Sequence, residues 1–320
     1  MSQYYNPIVY TVAAAEDGWL LKTVLQRRLG VSRKLMSRLK LTEQGITLNG
    51  ERVYISVTVK EGDQVAIRLE QEISEDILPQ PIPFDILYED DALLIINKQP
   101  GIIVHPTHGH YTETLANGVV YYWQQRGERF RFRPVHRLDQ ETSGVLAVAK
   151  NAYVHQHISE QMLADQVLKK YSAFVHGTPP IEERRIDDPI DRDPLEPHRR
   201  IVTESGYPAL TFYRVKESYK HGSWVELQLG TGRTHQIRVH MSHLGNPLIG
   251  DKMYGFSMLQ SLAEEKRQAA AKLDASMKRQ ALHAEKLGFK HPLTGEQIVF
   301  TAPLPEDMHR LRQLLIQGQP

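Results

Sequence analysis

The chain has 320 residues, room for about two domains, and its 41% hydrophobic and 24% charged content is that of an ordinary globular protein. It has no cysteine, which excludes disulfides, a thiolate nucleophile and cysteine-ligated metal. No apolar run approaches the roughly 18 residues of a membrane span, and the start lacks the charged-then-apolar pattern of a secretory signal, so a cytoplasmic protein without a membrane partner is expected.

The net charge of +1 conceals a segregation. Between Gly18 and Thr42 lie Lys22, Arg27, Arg28, Arg33, Lys34, Arg38 and Lys40 with no acid, whereas Glu70 to Asp91 is acidic with no Lys or Arg. A near-neutral chain that sorts its charge in this way suits a polyanion, and the basic run is the expected contact. A solvated helical face is the plainer reading of such a run.

In chain order, residues 1–15 read as an N-terminal extension. "LLKTVLQRRL" has Leu21, Val24, Leu25 and Leu29 at helical spacing, and Gly30 stops it. Ser32 can cap a second helix through "RKLMSRLKL", with Leu35 and Leu39 on one face and Lys34 and Arg38 on another. Asn49-Gly50 in "GITLNGERV" predicts a tight hairpin, and "VKEGDQVAIRL" a further turn and strand, completing a small helix-helix-hairpin unit over 16–72. The acidic segment 73–84 alternates Pro79, Pro81 and Pro83 and reads as a stiff linker.

From 85 to 320, short β-rich runs ("ALLIINK", "GVLAVAK", "KYSAFVHG", "TFYRVKES", "SWVELQL", "QIVFTAP") alternate with helical patterns such as "LANGVVYYWQQ" and "AYVHQHISEQMLAD". The mixture predicts an α+β fold, a domain on a mixed, mainly antiparallel sheet with flanking helices. The Ala/Lys/Glu-rich run Leu259 to Leu282 predicts a helix with no functional content of its own.

Three stretches carry candidate chemistry. "VHRLDQETSG" (135–144) packs reactive groups before an apolar strand, so Asp139 reads as a carboxylate held rigid yet accessible at a strand's end, with Arg137 and His136 beside it. An Asx-type turn at Asp139 and an Arg137–Glu141 pair would be the structural alternative. "GTGRTHQIRVHMSHLGNPLIGDKMYG" (230–255) crowds Arg233, His235, Arg238, His240 and His243 around a predicted strand in which Gln236 and Arg238 face one way and Ile237 the other. A cation there could hold a buried carboxylate ionised and oriented. "INKQPGIIVHPTHGH" offers His105, His108 and His110, but at no spacing that matches a metal site, so no metal is expected.

"HRLDQETSG", "KKYSAFVHG", "GRTHQIRVH" with "NPLIGDKMYG", and "QALHAEKLGFKHP" resemble the successive motifs of the RluA-type pseudouridine synthases, in order, over roughly residues 80–306. The unit before them is similar to an S4 RNA-binding domain. The resemblance implies that Asp139 is the catalytic aspartate, Arg137 the arginine that displaces or replaces the departing base, Tyr171 the ring that stacks on uracil, Arg238 the basic partner of the aspartate, and Ile237 the aliphatic contact to the base. Arg233, Gln236 and His136 join Ile237 as expected substrate contacts, and Arg27, Arg28, Arg33, Lys34, Arg38 and Lys40 are the expected RNA grip. "NKQPG" departs from a commoner Asp-Lys-Pro form, which puts a peripheral contact at Asn97 and Gln99 in doubt. The implied activity is isomerisation of uridines in RNA by a monomer without cofactor, with 23S ribosomal RNA expected and transfer RNA the alternative. A silent RNA-binding or ribosome-assembly protein would not require the aspartate, and a glycosyl hydrolase would not explain the basic unit.

Overall fold

The computed structural model describes residues 3–255, 260 and 263–318. The N-terminal unit holds β1 (Ile8–Thr11), α1 (Leu21–Arg27), α2 (Arg33–Leu39), β2 (Ile46–Leu48), β3 (Glu51–Arg52) and β4 (Gln64–Ile67). Its strands form an antiparallel sheet in the order β1-β4-β2-β3. The Ser32 hydroxyl accepts the Leu35 N–H at 3.2 Å and fixes the start of α2. Asn49 and Gly50 turn β2 into β3 with φ of 51° and 85°, the left-handed pair a two-residue hairpin needs. Residues 1–15 are not a separate extension: β1 pairs with β4 along its length because "IVYT" alternates its faces, and a boundary at 15 would cut this sheet.

The larger unit contains β5 (Asp85–Glu89), β6 (Leu93–Lys98), α3 (Leu115–Gln125), β7 (Ser143–Ala149), α4 (Ala152–Leu163), β8 (Leu168–His176), β9 (Glu183–Ile186), β10 (Ile190–Arg192), β11 (Arg200–Val202), β12 (Thr211–Ser218), β13 (Gly222–Leu229), α5 (Gln236–His243), β14 (Leu282–Lys290) and β15 (Gln297–Thr301), with further helices at Glu264–Ser276 and Glu306–Gln317. Its main sheet runs β5-β6-β7-β14-β8-β13-β12-β9, and β15 also pairs with β14. Every pairing is antiparallel except β7 with β14, so the sheet is mixed and mainly antiparallel as expected. On the same side as β7, β14 carries β15 further along, past a bulge between Ala284 and Lys286.

The acidic Pro-rich segment is extended but fastened. The Ser74 hydroxyl accepts Phe132 N–H at 2.9 Å, and the Asn117 side-chain amide of α3 donates to Leu78 O at 2.7 Å. Glu72 pairs with both Arg38 and Arg133. One apolar cluster joins the two units, from Leu25, Leu29 and Val31 through Tyr153, Val154 and Ile158 of α4 to Ile95 and Ala147 of the sheet. Tyr153 OH donates to Leu29 O at 2.8 Å and the Gln156 side-chain amide to Gly30 O at 2.7 Å.

The helix in the Ala/Lys/Glu-rich run spans Glu264–Ser276 rather than Leu259 to Leu282. Leu259, Ser261 and Leu262 lie outside the described residues, and Leu282 opens β14, buried between strands where apolar Leu282 and Ala284 have more to gain than on a helix.

Candidate active site

Asp139 sits on the loop entering β7, and three elements hold that loop from behind. Gly144 takes φ of 115°, and a Cβ there would lie 2.1 Å from Ala284 O of β14, so only glycine lets β7 approach its parallel partner. Lys98, fully buried, donates from Nζ to Gln99 O and Gln140 O at 2.9 Å each. Arg279, also buried, donates to Glu141 O at 3.0 Å and to the Ser143 hydroxyl at 3.3 Å, and grips Asp307 of the C-terminal helix at 2.7 and 3.0 Å. Thr142 N–H donates to Asp139 O at 3.0 Å, a turn made by backbone rather than by the Asp139 side chain. The carboxylate is thereby left for other use.

Burial lowers the Lys98 ammonium to about 7, against which Glu141 and Asp139 act weakly. Unfolded lysine keeps its proton to its ordinary 10.5, so between about 7 and 10.5 the unfolded chain binds more protons and the Lys98 contribution to stability grows with pH. Lys98→Met should destabilise the protein by about 1–3 kcal/mol by removing the two hydrogen bonds from Nζ, after which Gln140 O keeps only the N–H of Gly101. Denaturant titrations from pH 6 to about 10 should show the gap between wild type and variant widening; a gap that narrows with pH contradicts this assignment.

The Asp139 carboxylate meets Arg238, whose Nη1 donates to Oδ2 at 3.2 Å. The other edge of the guanidinium is bound by Asp251, with Nε to Oδ2 at 2.7 Å and Nη2 to Oδ1 at 2.9 Å. Burial opposes the Arg238 charge, but the Asp251 hydrogen bonds and the charges of both carboxylates outweigh it and hold its proton more tightly than usual. Asp251 is itself fixed by the N–H groups of Met253 and Tyr254 at 3.0 and 3.2 Å. A second group, His235, approaches Asp139 Oδ2 with Nε2 at 3.9 Å. Burial lowers His235 from its ordinary value despite the pull of Asp139, so its ring is neutral near pH 7. Tyr254 OH accepts Arg200 N–H at 2.9 Å and lies 2.9 Å from His235 Nδ1; a proton donated there leaves the ring hydrogen on the Nε2 facing Asp139.

Gln236, Ile237 and Arg238 are not a strand. They open α5, and His235 caps it in the left-handed conformation, with φ of 57°. Gln236 fixes the start of the helix with both local and distant bonds: its carbonyl oxygen accepts Arg233 N–H and the Thr231 hydroxyl at 2.8 Å each, and its amide donates to the distant Leu210 O and Thr211 Oγ1 at 2.9 Å. On a helix, neighbours are about 100° apart, so Ile237 and Arg238 line the same recess, which strand alternation would forbid.

That recess, about 80 Å³, is lined by Asp139, Tyr171, Ile237, Arg238, His235 and Leu282, and it shares its mouth with a cleft of about 1,150 Å³. Tyr171 comes from β8 opposite Leu227 and Ala284. Burial, then the charge of Asp139, pushes its hydroxyl well above the usual tyrosine value, so it is a neutral phenol. Arg137 is exposed at the cleft and has no ion pair among the described residues, Glu141 included. The result is an oriented carboxylate against a buried cation, an aromatic ring and an aliphatic wall, at the end of an open groove.

A family model described as RNA pseudouridylate synthase matches residues 92–243. The chain is 41% identical to the RNA pseudouridine synthase YjbO of Bacillus subtilis (strain 168) over 284 residues, 88% of this chain and 95% of that one. It belongs to the RNA pseudouridine synthase family. It is thus an isomerase acting on RNA. Ribosomal large subunit pseudouridine synthase D of Xanthomonas campestris pv. campestris is 39% identical over 268 residues, covering 84% of this chain and 80% of that one. Human RNA Pseudouridylate Synthase Domain Containing 4 has a similar structure, with a TM-score of 0.56, 28% identity, and coverage of 71% of this chain and 93% of that one.

Within this pseudouridine synthase, other expected site residues are less available. Gln236 has both ends of its amide committed inside the protein, which makes it a support for the 231–238 turn. His136 accepts Ala147 N–H on Nε2 at 3.3 Å, and burial lowers it to about 4, so it is a neutral strut of the loop. Arg233 donates Nε to Pro208 O at 3.0 Å and lies over the Tyr207 ring at the cleft rim. Gln99 donates to Asp85 at 2.6 Å, away from the carboxylate. His105 lines the cleft, while His108 contacts Tyr111. The basic residues expected on the N-terminal unit are all exposed. Arg28 pairs with Glu16 and Arg38 with Glu72; Arg27 and Arg28 lie over Trp19. Arg33, Lys34 and Lys40 carry no ion pair among the described residues.

Proposed function

We propose that the chain converts uridines of large-subunit ribosomal RNA to pseudouridine, with Asp139 acting at the sugar. The observation that carries this reading is Asp139 Oδ2 at 3.2 Å from Arg238 Nη1 in a recess shared with Tyr171 and Ile237. The reaction breaks N1–C1′ and forms C5–C1′; N1 gains a proton and C5 loses one, so uridine's atoms are conserved. Arg238 holds Oδ2 and leaves Oδ1 without a protein partner among the described residues, as a group that attacks C1′ or removes the C2′ proton requires. The recess is too small and deep for a stacked duplex, so the target base leaves the helix and rests between Tyr171 and Ile237, with Arg137 at the mouth to fill the gap it leaves. Tyr171→Phe should keep kcat within about threefold if the ring only stacks, since a neutral phenol adds little to a π-face; a loss of 100-fold or more would give the hydroxyl a chemical part.

In this reading the exposed basic face of the N-terminal unit grips RNA in an S4-like role and the enzyme works as a cytoplasmic monomer, while relatives named ribosomal large subunit pseudouridine synthase D favour ribosomal over transfer RNA. Neutralising Arg33, Lys34 and Arg38 together should weaken RNA binding and reduce the slope of log Kd against log salt by about 2, since Arg38 already has Glu72 as counter-ion. An unchanged slope would remove this face from the RNA contact. The test of the whole reading is a pseudouridine map of cellular RNA from a strain lacking the protein, complemented with wild type or Asp139→Ala. Sites restored by wild type alone support it and name the RNA; sites restored by both, or none lost, refute it.

A further inference from the structure

The N-terminal unit carries a groove that the reading above leaves unused. It runs between the end of α2 and the β3 hairpin, with a volume of about 680 Å³, and is lined by Leu39, Lys40, Leu41, Arg52, Tyr54 and Ile55, among others. That volume falls within the roughly 300–1,000 Å³ of small-ligand sites. Single exposed apolar residues need no explanation, but Leu41 and Tyr54 are each 84% exposed and open onto the same groove. Arg52 donates Nη2 to the backbone Lys40 O at 3.0 Å, and both cationic residues line the groove.

Charge separates this groove from its neighbour. On the far side of Leu39 and Leu41, a second hollow contains Arg38 and Arg68 but also Glu70 and Glu72, and Glu72 binds Arg38. The groove at Tyr54 is lined by cations with no carboxylate. An exposed ring beside two cations on an acid-free wall suits a planar, anionic occupant: the π-face takes a base, the cations its flanking phosphates.

We propose that this groove binds an unpaired RNA nucleotide, its base on Tyr54 and its phosphates against Lys40 and Arg52. The proposal rests on RNA being what the N-terminal unit contacts, and it adds a single-strand subsite distinct from the uridine recess. The probe is a short fluorescein-labelled oligouridylate, titrated against the full-length protein and its Asp139→Asn form so that turnover does not enter. Tyr54→Ala should weaken binding about 10-fold, and Tyr54→Phe should not. Lys40→Gln with Arg52→Gln should lower the salt slope by about 1.4. In Tyr54→Trp, bound oligonucleotide should quench the new indole beyond any change from the three native tryptophans. Wild-type affinity in Tyr54→Ala, or an unquenched indole, overturns the proposal. So does a loss confined to duplex RNA or to a protein partner. A wild-type enzyme that forms no pseudouridine would instead sink the functional reading, a separate readout from these titrations.

Discussion

Replacing Asp139 with Asn is expected to lower kcat by about 10⁴-fold or more, the scale seen when a group that reacts directly is removed. RNA affinity should stay within a few-fold. The substitution keeps the side chain's shape, and the loop around it is held through Gln140 O, Glu141 O and Ser143 rather than through the carboxylate. An amide can still accept from Arg238 Nη1 at the 3.2 Å position but can neither attack carbon nor take a proton. Single-turnover rates and equilibrium binding on the same RNA decide the matter. A collapse in affinity, or a melting temperature several degrees lower, would make Asp139 a structural residue.

The second large effect is expected at Asp251, which sequence reasoning did not single out. Its side chain is fully buried, and it supplies two of the three hydrogen bonds that Arg238 makes to carboxylates. Asp251→Asn leaves a desolvated guanidinium with Asp139 as its one remaining carboxylate. Breaking a buried pair from one side costs about 3–5 kcal/mol, so a clear fall in denaturant midpoint is expected. Arg238 is then freed to swing toward Asp139 and misplace Oδ2, and a shift of even 1 Å at a reacting group can cost about 100-fold in kcat. KM should change far less, because Asp251 faces away from the cleft. Asp251→Glu, which restores the charge, should recover stability more than rate. Equal recovery of both would mean that Asp251 serves the fold alone.

The sequence was informative where local chemistry and tertiary structure agree. Ser32 caps α2, Asn49-Gly50 turns the hairpin, and the buried strands β6 and β7 follow apolar runs. It misled where distant partners set the conformation. Ile237 and Val239 are β-branched, and the bonds that begin α5 reach Leu210 and Thr211, some 25 residues away, so no local cap announced a helix. Lys98 and Arg279 could not be placed because their carbonyl partners at 140 and 141 become neighbours only in the folded sheet. Asp251 was legible as part of "NPLIGDKMYG" but not as the partner of Arg238. The C-terminal helix had signals that went unread: Glu306 and Asp307 in its first turn, Met308, Leu311 and Leu315 on one face, and Gly318 at its end.

The helix Glu264–Ser276, in a run that offered no function as sequence, also has a place. Asp274 in the last turn of its helix accepts Gly250 N–H at 2.6 Å and meets His176 Nε2 at 2.8 Å, which fixes the backbone directly before Asp251.

The parallel pairing of β7 with β14 and the grip of Arg279 on Glu141 and Asp307 have a consequence for synthesis on the ribosome. The carboxylate is made early, yet its loop is locked by residues made about 140 to 170 positions later, so a growing chain can complete its N-terminal unit long before it has a competent centre. Such late closure of non-local contacts is slow relative to local folding. A chain that ends before Arg279 and Asp307 therefore lacks the side chains that fasten the Asp139 loop.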